Sequence, residues 1–226
     1  MLKSVLLLDY HEWGIIVKNK RNRQIGKSMA VLLCAAMLLG GCGQAGAPEN
    51  VDTTSLVISA KGSVQSYLVE EFDKDYYSVS DLSSMVVQEA ADYNTAHQTA
   101  EAAPVTVEKV ETLANDSSKV VVAQQFDSAA TYEEFLEGAL YFGLASNLPE
   151  GSSIDGNLVS AKDGTAITAD ILQKELEKKH IVITDAKAVI YCPYPVAYVS
   201  GNAVCREDGG VDATQAEGLV TILLKK

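Results

Sequence analysis

Short apolar segments of strand length, separated by turn residues, dominate the chain after residue 55. Segments 56–60 and 63–71 flank the turn Lys61-Gly62 and therefore predict a β-hairpin. Strands in consecutive runs with few helices favour an α+β fold with a largely antiparallel sheet. Further strands are predicted at 104–113, 119–126, 139–143, 157–161, 181–184, 188–191, 196–200, 203–206 and 219–224. About three helices are predicted: at 79–95, after Thr131, and from an N-cap at Thr168 to about residue 179.

Local signals refine three of these segments. The alternation of apolar residues changes phase between Val107 and Val110, which predicts a β-bulge. Thr131 and Glu134 have the spacing of a capping box, which predicts that Thr131 opens the short second helix. Gly201-Asn202 predicts a tight hairpin that joins the strands on either side of it.

The first part of the chain is organised differently. Residues 18–27 contain five basic residues and no acidic one, and residues 29–41 contain no charge. A small and polar stretch, 43–54, follows. This is the layout of a secretory signal peptide. The apolar stretch is shorter than the roughly 20 residues that a transmembrane helix needs.

Leu39-Gly40-Gly41-Cys42 resembles the lipobox of bacterial lipoproteins, in which an aliphatic residue and two small residues precede a cysteine. The resemblance implies cleavage between Gly41 and Cys42 and acylation of the Cys42 thiol. It also implies that the mature chain is held at the outer face of the bacterial cytoplasmic membrane. It covers residues 18–42 and assigns no family to the rest.

These observations predict three parts of the chain: a signal peptide at 1–41, a lipidated flexible tether at 42–54, and a single exported domain at 55–226. Signal peptides usually have about 15–30 residues. A signal peptide of 41 residues would exceed that length because of residues 1–16, so we expect translation to start near Val17.

The charge of the mature chain limits its partners. Residues 1–41 include six of the 18 basic residues and two of the 30 acidic residues, so 12 basic and 28 acidic residues remain, a net charge of −16. Nucleic acids and anionic lipid headgroups are bound by basic surfaces. We therefore expect the membrane to be reached through the lipid anchor, and we expect no nucleic-acid partner.

Two sets of residues near the end of the chain are candidates for function. Tyr191, Tyr194 and Tyr198 form the densest aromatic group, and tyrosine is common at binding surfaces. They could bind an envelope protein or a glycan; the alternative is that they pack in the core. Cys192 and Cys205 could form a disulfide after export, and the alternative is two unpaired thiols.

No sequence motif for catalysis, metal binding or nucleotide binding is present, and we expect no cofactor. His97 and His180 are interpreted as solvent-facing or helix-capping residues. The preferred function is therefore a non-enzymatic binding or envelope lipoprotein. Two alternatives remain: a small extracytoplasmic hydrolase whose site is assembled from distant residues, and a solute-binding lipoprotein of a transporter.

Overall fold

A computed structural model describes residues 51–97 and 103–226. The predicted signal peptide, the lipobox-like segment with Cys42 and most of the predicted tether lie outside the described residues. The described residues all belong to one compact unit. Its described residues contain three α-helices and 12 strands in two mostly antiparallel sheets, which confirms the α+β fold.

The strands are β1 (Ser55–Ile58), β2 (Val64–Glu71), β3 (Val105–Leu113), β4 (Asp116–Phe126), β5 (Leu140–Leu144), β6 (Leu158–Ser160), β7 (His180–Thr184), β8 (Val189–Tyr191), β9 (Val196–Ser200), β10 (Val204–Cys205), β11 (Val211–Asp212) and β12 (Val220–Leu224). The helices are α1 (Val79–His97), α2 (Ala129–Leu136) and α3 (Ala169–Leu176), and a 3-10 turn covers Ala145–Asn147.

The strands form a seven-stranded sheet, in the order β10-β11-β8-β1-β2-β4-β3, and a five-stranded sheet, in the order β5-β7-β12-β9-β6. β1 and β2 form the predicted hairpin, and Gly62 in its turn has a φ of 90° that favours glycine. β3 pairs with β4, and their register shifts between Val107 and Lys109, which confirms the predicted bulge. β1 and β8 run parallel.

Helix α1 packs on β3 through one apolar stripe. Leu82, Val86 and Ala90 recur at a spacing of four residues and are buried, which is the pattern of a helix with one face on a sheet. At the end of the stripe, the side-chain amide of Asn94 donates to the carbonyl of Val105 and accepts from its N–H, at 2.7 and 2.9 Å. These two bonds fix the first residue of β3 to the helix.

The start of α2 differs from the predicted capping box. Ser128, in extended backbone, is the N-cap, and its hydroxyl accepts from the N–H of Thr131 at 3.1 Å. Thr131 is already helical and donates its hydroxyl to Asp127 instead. The prediction that Thr131 opens the helix was therefore wrong by three residues. The cap of α3 is confirmed, because the Thr168 hydroxyl accepts from the N–H of Ile171 at 3.4 Å.

The predicted hairpin at Gly201-Asn202 is wrong. β9 pairs with β12 and β6 in the five-stranded sheet, whereas β10 pairs with β11 in the other sheet. The turn itself closes, with the N–H of Ala203 bound to the carbonyl of Ser200 at 3.0 Å. The Asn202 amide then donates to the carbonyl of Glu217 at 3.0 Å. The segment therefore carries the chain from one sheet to the other.

The end of the predicted tether is bound to the domain. The carbonyl of Thr54 accepts from the N–H of Val189 at 2.9 Å, and its hydroxyl accepts from the N–H of Val69 at 3.0 Å. These bonds extend the ordered domain to at least Thr54.

One face of the five-stranded sheet packs against α3 and forms a hydrophobic core. Its buried residues include Ile181, Ile183 and Leu223, and Leu172 and Leu176 of α3 pack against them. Because side chains alternate across a strand, the residues next to these in sequence lie on the opposite face of the sheet.

Candidate functional site

Tyr191 lies in the core rather than on a binding surface. It is only 3% exposed and packs with Val57 and Val189 on one face of the seven-stranded sheet. Its hydroxyl donates to Asp208 at 3.1 Å. Burial and this carboxylate raise the pKa of Tyr191. The phenol is thereby held in its neutral, donating form.

Tyr198 lies on the five-stranded sheet, away from Tyr191. It is paired with Leu223 across β9 and β12 and packs, partly buried, against the core under α3. The three predicted tyrosines therefore do not form one surface. Tyr194, in the segment before β9, has different neighbours.

We define the Tyr194 cluster as Phe142, His180, Tyr194 and Lys226. The ring of His180 stacks on Phe142 with centroids 5.7 Å apart and lies 5.3 Å from the ring of Tyr194. The ammonium of Lys226 lies 4.5 Å from the centroid of the Tyr194 ring and donates to its hydroxyl at 3.3 Å. The three rings are half-buried and Lys226 is exposed.

Backbone contacts at one end of the five-stranded sheet position this cluster. The N–H of His180 donates to the main-chain oxygen of Lys226 at 2.6 Å, and Nδ1 of the His180 ring lies 3.2 Å from that oxygen. Because this oxygen only accepts, Nδ1 carries the proton in this contact. The N–H of Lys225 donates to the carbonyl of Pro195 at 2.9 Å. The start of β7, the end of β12 and the segment before β9 therefore meet here.

Basic side chains are concentrated on the same chain ends. We define the basic end as Lys178, Lys179, Lys225 and Lys226, which are four of the 12 basic residues between Cys42 and Lys226. The ammonium of Lys179 donates to the carbonyl of Lys225 at 2.7 Å and lies 3.9 Å from the carboxylate of Glu175. Ammonium groups gathered in this way can attract anionic groups.

Only one residue of the Tyr194 cluster was among the predicted site residues. His180 had been interpreted as solvent-facing or capping, but it is half-buried between two aromatic rings. A signal for the basic end was present in the sequence: Lys178-Lys179 and Lys225-Lys226 are adjacent pairs in an acidic chain. No sequence signal indicated Phe142, which reaches the cluster only through strand pairing.

A second cluster joins α1 to α2. The carboxylate of Glu134 accepts from the hydroxyl of Tyr93 at 2.9 Å and lies 3.2 Å from Nε2 of His97, whose ring stacks on Tyr93 at 4.0 Å. Burial and the carboxylate raise the pKa of Tyr93 to about 12. We name this group the α1–α2 clasp. His97 is the last residue of α1, and its side chain is exposed.

The predicted disulfide is not formed in the structure, where Cys192 and Cys205 are free thiols. Burial raises the pKa of Cys192 to about 12. Cys205 is opposite Val211, which is opposite Ile190, so β11 lies between the two cysteine-bearing segments. Two strand spacings are about 10 Å, and a disulfide allows about 7 Å between Cα atoms. The bridge stays a prediction that requires β10 to move.

Comparisons with known proteins supply no relative. No protein-family model matches the chain, and no curated protein or solved structure is significantly similar to it. Within the described residues, no three His, Cys, Asp or Glu side chains group as metal ligands. No helix in that part of the chain has the length and hydropathy needed to span a membrane.

Proposed function

We propose that this chain is a membrane-anchored extracytoplasmic lipoprotein whose domain binds an anionic envelope polymer and catalyses no reaction. Leu39-Gly40-Gly41-Cys42, after a basic and an apolar segment, is the observation that supports the anchor. Two or three acyl chains hold a protein firmly at a membrane, whereas one chain binds only marginally. Acylation of Cys42 would therefore keep the acidic domain at the outer surface.

Metabolic labelling tests the anchor. Cells that express the full chain are grown with an alkyne analogue of palmitate, and we expect label on the wild-type protein in the membrane fraction. Cys42→Ser should carry no label and remain as the uncleaved precursor. Cys34→Ser is the matched control, because Cys34 follows two leucines rather than small residues, and it should be labelled like the wild type. Label on Cys42→Ser would contradict the anchor.

The basic end beside the Tyr194 cluster supports the binding activity. Its ammonium groups can contact carboxylate or phosphate groups, and the half-buried rings of Tyr194 and Phe142 offer an apolar floor beside them. Lys226 is held in place by the ring and the hydroxyl of Tyr194. An anionic polymer can engage several such charges at once, whereas the acidic remainder of the domain repels it.

A cosedimentation assay tests this activity. The acylated full chain in detergent is mixed with cell-wall sacculi, either intact or stripped of their phosphate polymers. We expect Lys225→Glu with Lys226→Glu to weaken binding to intact sacculi at least about tenfold, since about 1.4 kcal/mol corresponds to a factor of ten. Lys109→Glu with Lys162→Glu makes the same change of charge elsewhere and should reduce binding much less.

Equal loss of binding in both double variants would show an effect of net charge alone and would contradict a site at the basic end. Tyr194→Phe should retain most of the affinity, because the ring remains, and Tyr194→Ala should lose more of it.

The hydrolase and the solute-binding lipoprotein stay predictions from the sequence, since no observation on the described residues favours either one.

A further inference from the structure

Histidine is scarce in this chain, and one of its few copies lies in the Tyr194 cluster. The sequence contains three, of which His11 falls in the predicted signal peptide, so the predicted mature chain contains only His97 and His180. Histidine is the side chain that ordinarily changes its charge between pH 5 and 8. The charge at the basic end can therefore respond to a change of pH in this range through its neighbour His180.

The two ring nitrogens of His180 have different surroundings. Nδ1 carries the proton that bonds to the main-chain oxygen of Lys226 at 3.2 Å. Within the described residues, no group forms a hydrogen bond with Nε2. In the neutral ring Nε2 presents a lone pair, which repels an anion, whereas in the protonated ring it is a charged N–H donor. Protonation therefore converts Nε2 from an acceptor into a donor for an anionic ligand.

The aromatic rings beside His180 suit its charged form. Their centroids lie 5.7 Å from that of His180 for Phe142 and 5.3 Å for Tyr194. A cation within about 6 Å of an aromatic centroid is attracted by the negative face of the ring. In the part of the chain that the structure describes, no carboxylate forms an ion pair with His180, whereas His97 has Glu134 as its partner. An added charge on His180 therefore remains available to a ligand.

The charged groups on the neighbouring elements are mainly basic. β12 leads into two residues of the basic end, and α3 leads into the other two. A Cβ on Gly62 would lie 4.0 Å from a ring of the Tyr194 cluster, and Lys61 precedes it in the β1–β2 turn. β5 carries no charge. The end of α3 contributes Glu175 and Glu177, and the carboxylate of Glu175 already lies 3.9 Å from an ammonium group of the basic end.

We propose that protonation of His180 strengthens the binding of an anionic polymer at the basic end, so that the site holds its ligand more tightly as the pH falls from 8 toward 6. The inference rests on the proposed function, because it adds regulation by pH to the same site. An anion that accepts a bond from Nε2 favours the protonated ring, and the protonated ring favours the anion to the same extent. Binding should therefore take up a proton.

Affinity for a soluble polyanion at two pH values tests the proposal. The acylated full chain in non-ionic detergent is titrated with long-chain inorganic polyphosphate, whose internal phosphates stay ionised at both pH values. We choose pH 8 and pH 6, because histidine changes its charge between them and most carboxylates do not. We expect the wild type to bind about fivefold more tightly at pH 6, which is the effect of one added unit charge beside an anion in water.

Two histidine variants locate the proton. His180→Asn retains an amide N–H at the position of Nδ1, so it can still bond to the main-chain oxygen of Lys226, but it cannot take up a proton. It should lose most of the gain in affinity between pH 8 and pH 6. His97→Asn is the matched control, because Nδ1 of His97 also lies close to a main-chain oxygen, that of Tyr93 at 2.9 Å. It should keep the full gain.

Calorimetry on the wild type keeps the test decisive if His180→Asn does not fold. Titrations at pH 7 in buffers with different enthalpies of ionisation report the protons exchanged on binding, and we expect net uptake. Absence of uptake would overturn the inference, and so would a gain that His180→Asn keeps or that His97→Asn loses. Binding that requires Lys225 and Lys226 but is the same at both pH values would overturn the inference alone, whereas no binding at either pH would contradict the proposed function as well.

Discussion

The outer strands β3 and β5 end their sheets in opposite ways. β3 is closed to further pairing by Asn94, by charged side chains and by two shifts in register. β5 is short and uncharged, but Leu140 at its start is buried, and the hydroxyl of Tyr141 bonds to the carbonyl of Leu144 at its end. The comparison teaches that edge protection here is not a general property of an acidic surface, because each edge is protected by its own particular residues.

Loss of the cap on β3 should have the largest effect. Asn94→Ala removes both bonds to the buried backbone of Val105, and unsatisfied buried groups cost about 1–3 kcal/mol each. We expect the free energy of unfolding to fall by about 2–3 kcal/mol in urea denaturation. Asn202→Ala, which loses one exposed bond to Glu217, is the control and should lose less than about 1 kcal/mol. Equal losses of unfolding free energy in the two variants would show that the Asn94 cap stabilises the domain no more than an exposed hydrogen bond does.

On β5, the residue with the least space for a larger side chain is Gly143. A Cβ there would lie 2.7 Å from the hydroxyl oxygen of Tyr141, so Gly143→Ala must displace that ring and should cost about 1–2 kcal/mol. Tyr141→Phe removes the nearest atom, and the double variant should therefore lose less than the sum of the single variants. Gly156→Ala, where a Cβ would meet nothing within 4 Å, is the control. If the losses of the two single variants add up in the double variant, a Cβ at position 143 does not contact the hydroxyl of Tyr141.

Removing the charges of β3 should open that edge to pairing with other chains. Lys109→Thr with Glu111→Thr deletes an exposed ion pair of 2.8 Å and leaves the net charge unchanged. The stability change should stay within about 0.5 kcal/mol, but light scattering should show new concentration-dependent association. Asp73→Thr with Lys74→Thr removes an ion pair outside the sheets and should cause none. Unchanged association in both variants would mean that charges do not protect the β3 edge.

The smallest effect should come from the α1–α2 clasp, on the β3 side of the molecule. Burial and Glu134 raise the pKa of Tyr93 to about 12 from 10.0. Between these values the unfolded chain loses its proton while the folded chain keeps it, so stability should fall as the pH rises from 10 to 12. Tyr93→Phe and Glu134→Gln should each make this fall less steep in thermal unfolding. If the stability of both variants falls with pH as steeply as that of the wild type, the raised pKa of Tyr93 is contradicted.

The local elements of the fold and the β1–β2 hairpin could be predicted from sequence, but the pairing of strands far apart in the chain could not. The bulge near Val107 and the cap at Thr168 depend on neighbouring residues and were predicted correctly. The hairpin at Gly201-Asn202 was wrong, because β9 and β10 find partners far away in sequence. Turn chemistry shows that the chain reverses, but it does not show which sheet receives the next strand.

The candidate site was hard to predict for the same reason. Phe142, His180 and Lys226 come from three separate segments and meet Tyr194 only after β5, β7 and β12 pair. For Tyr191 the sequence left a binding surface and core packing open, and the structure shows core packing, because β8 lies between β1 and β11, which buries it. Aromatic density along a sequence therefore indicates where large side chains are, and not which of them are exposed.

Amide exchange at the two edges tests the contrast between β3 and β5 most directly. We expect the amide of Val105, which donates to Asn94 and is buried, to exchange far more slowly than the amide of Phe142, which points away from β7 and is half-buried. Equal exchange at the two amides, or faster exchange at Val105, would contradict the role of Asn94 in closing the β3 edge.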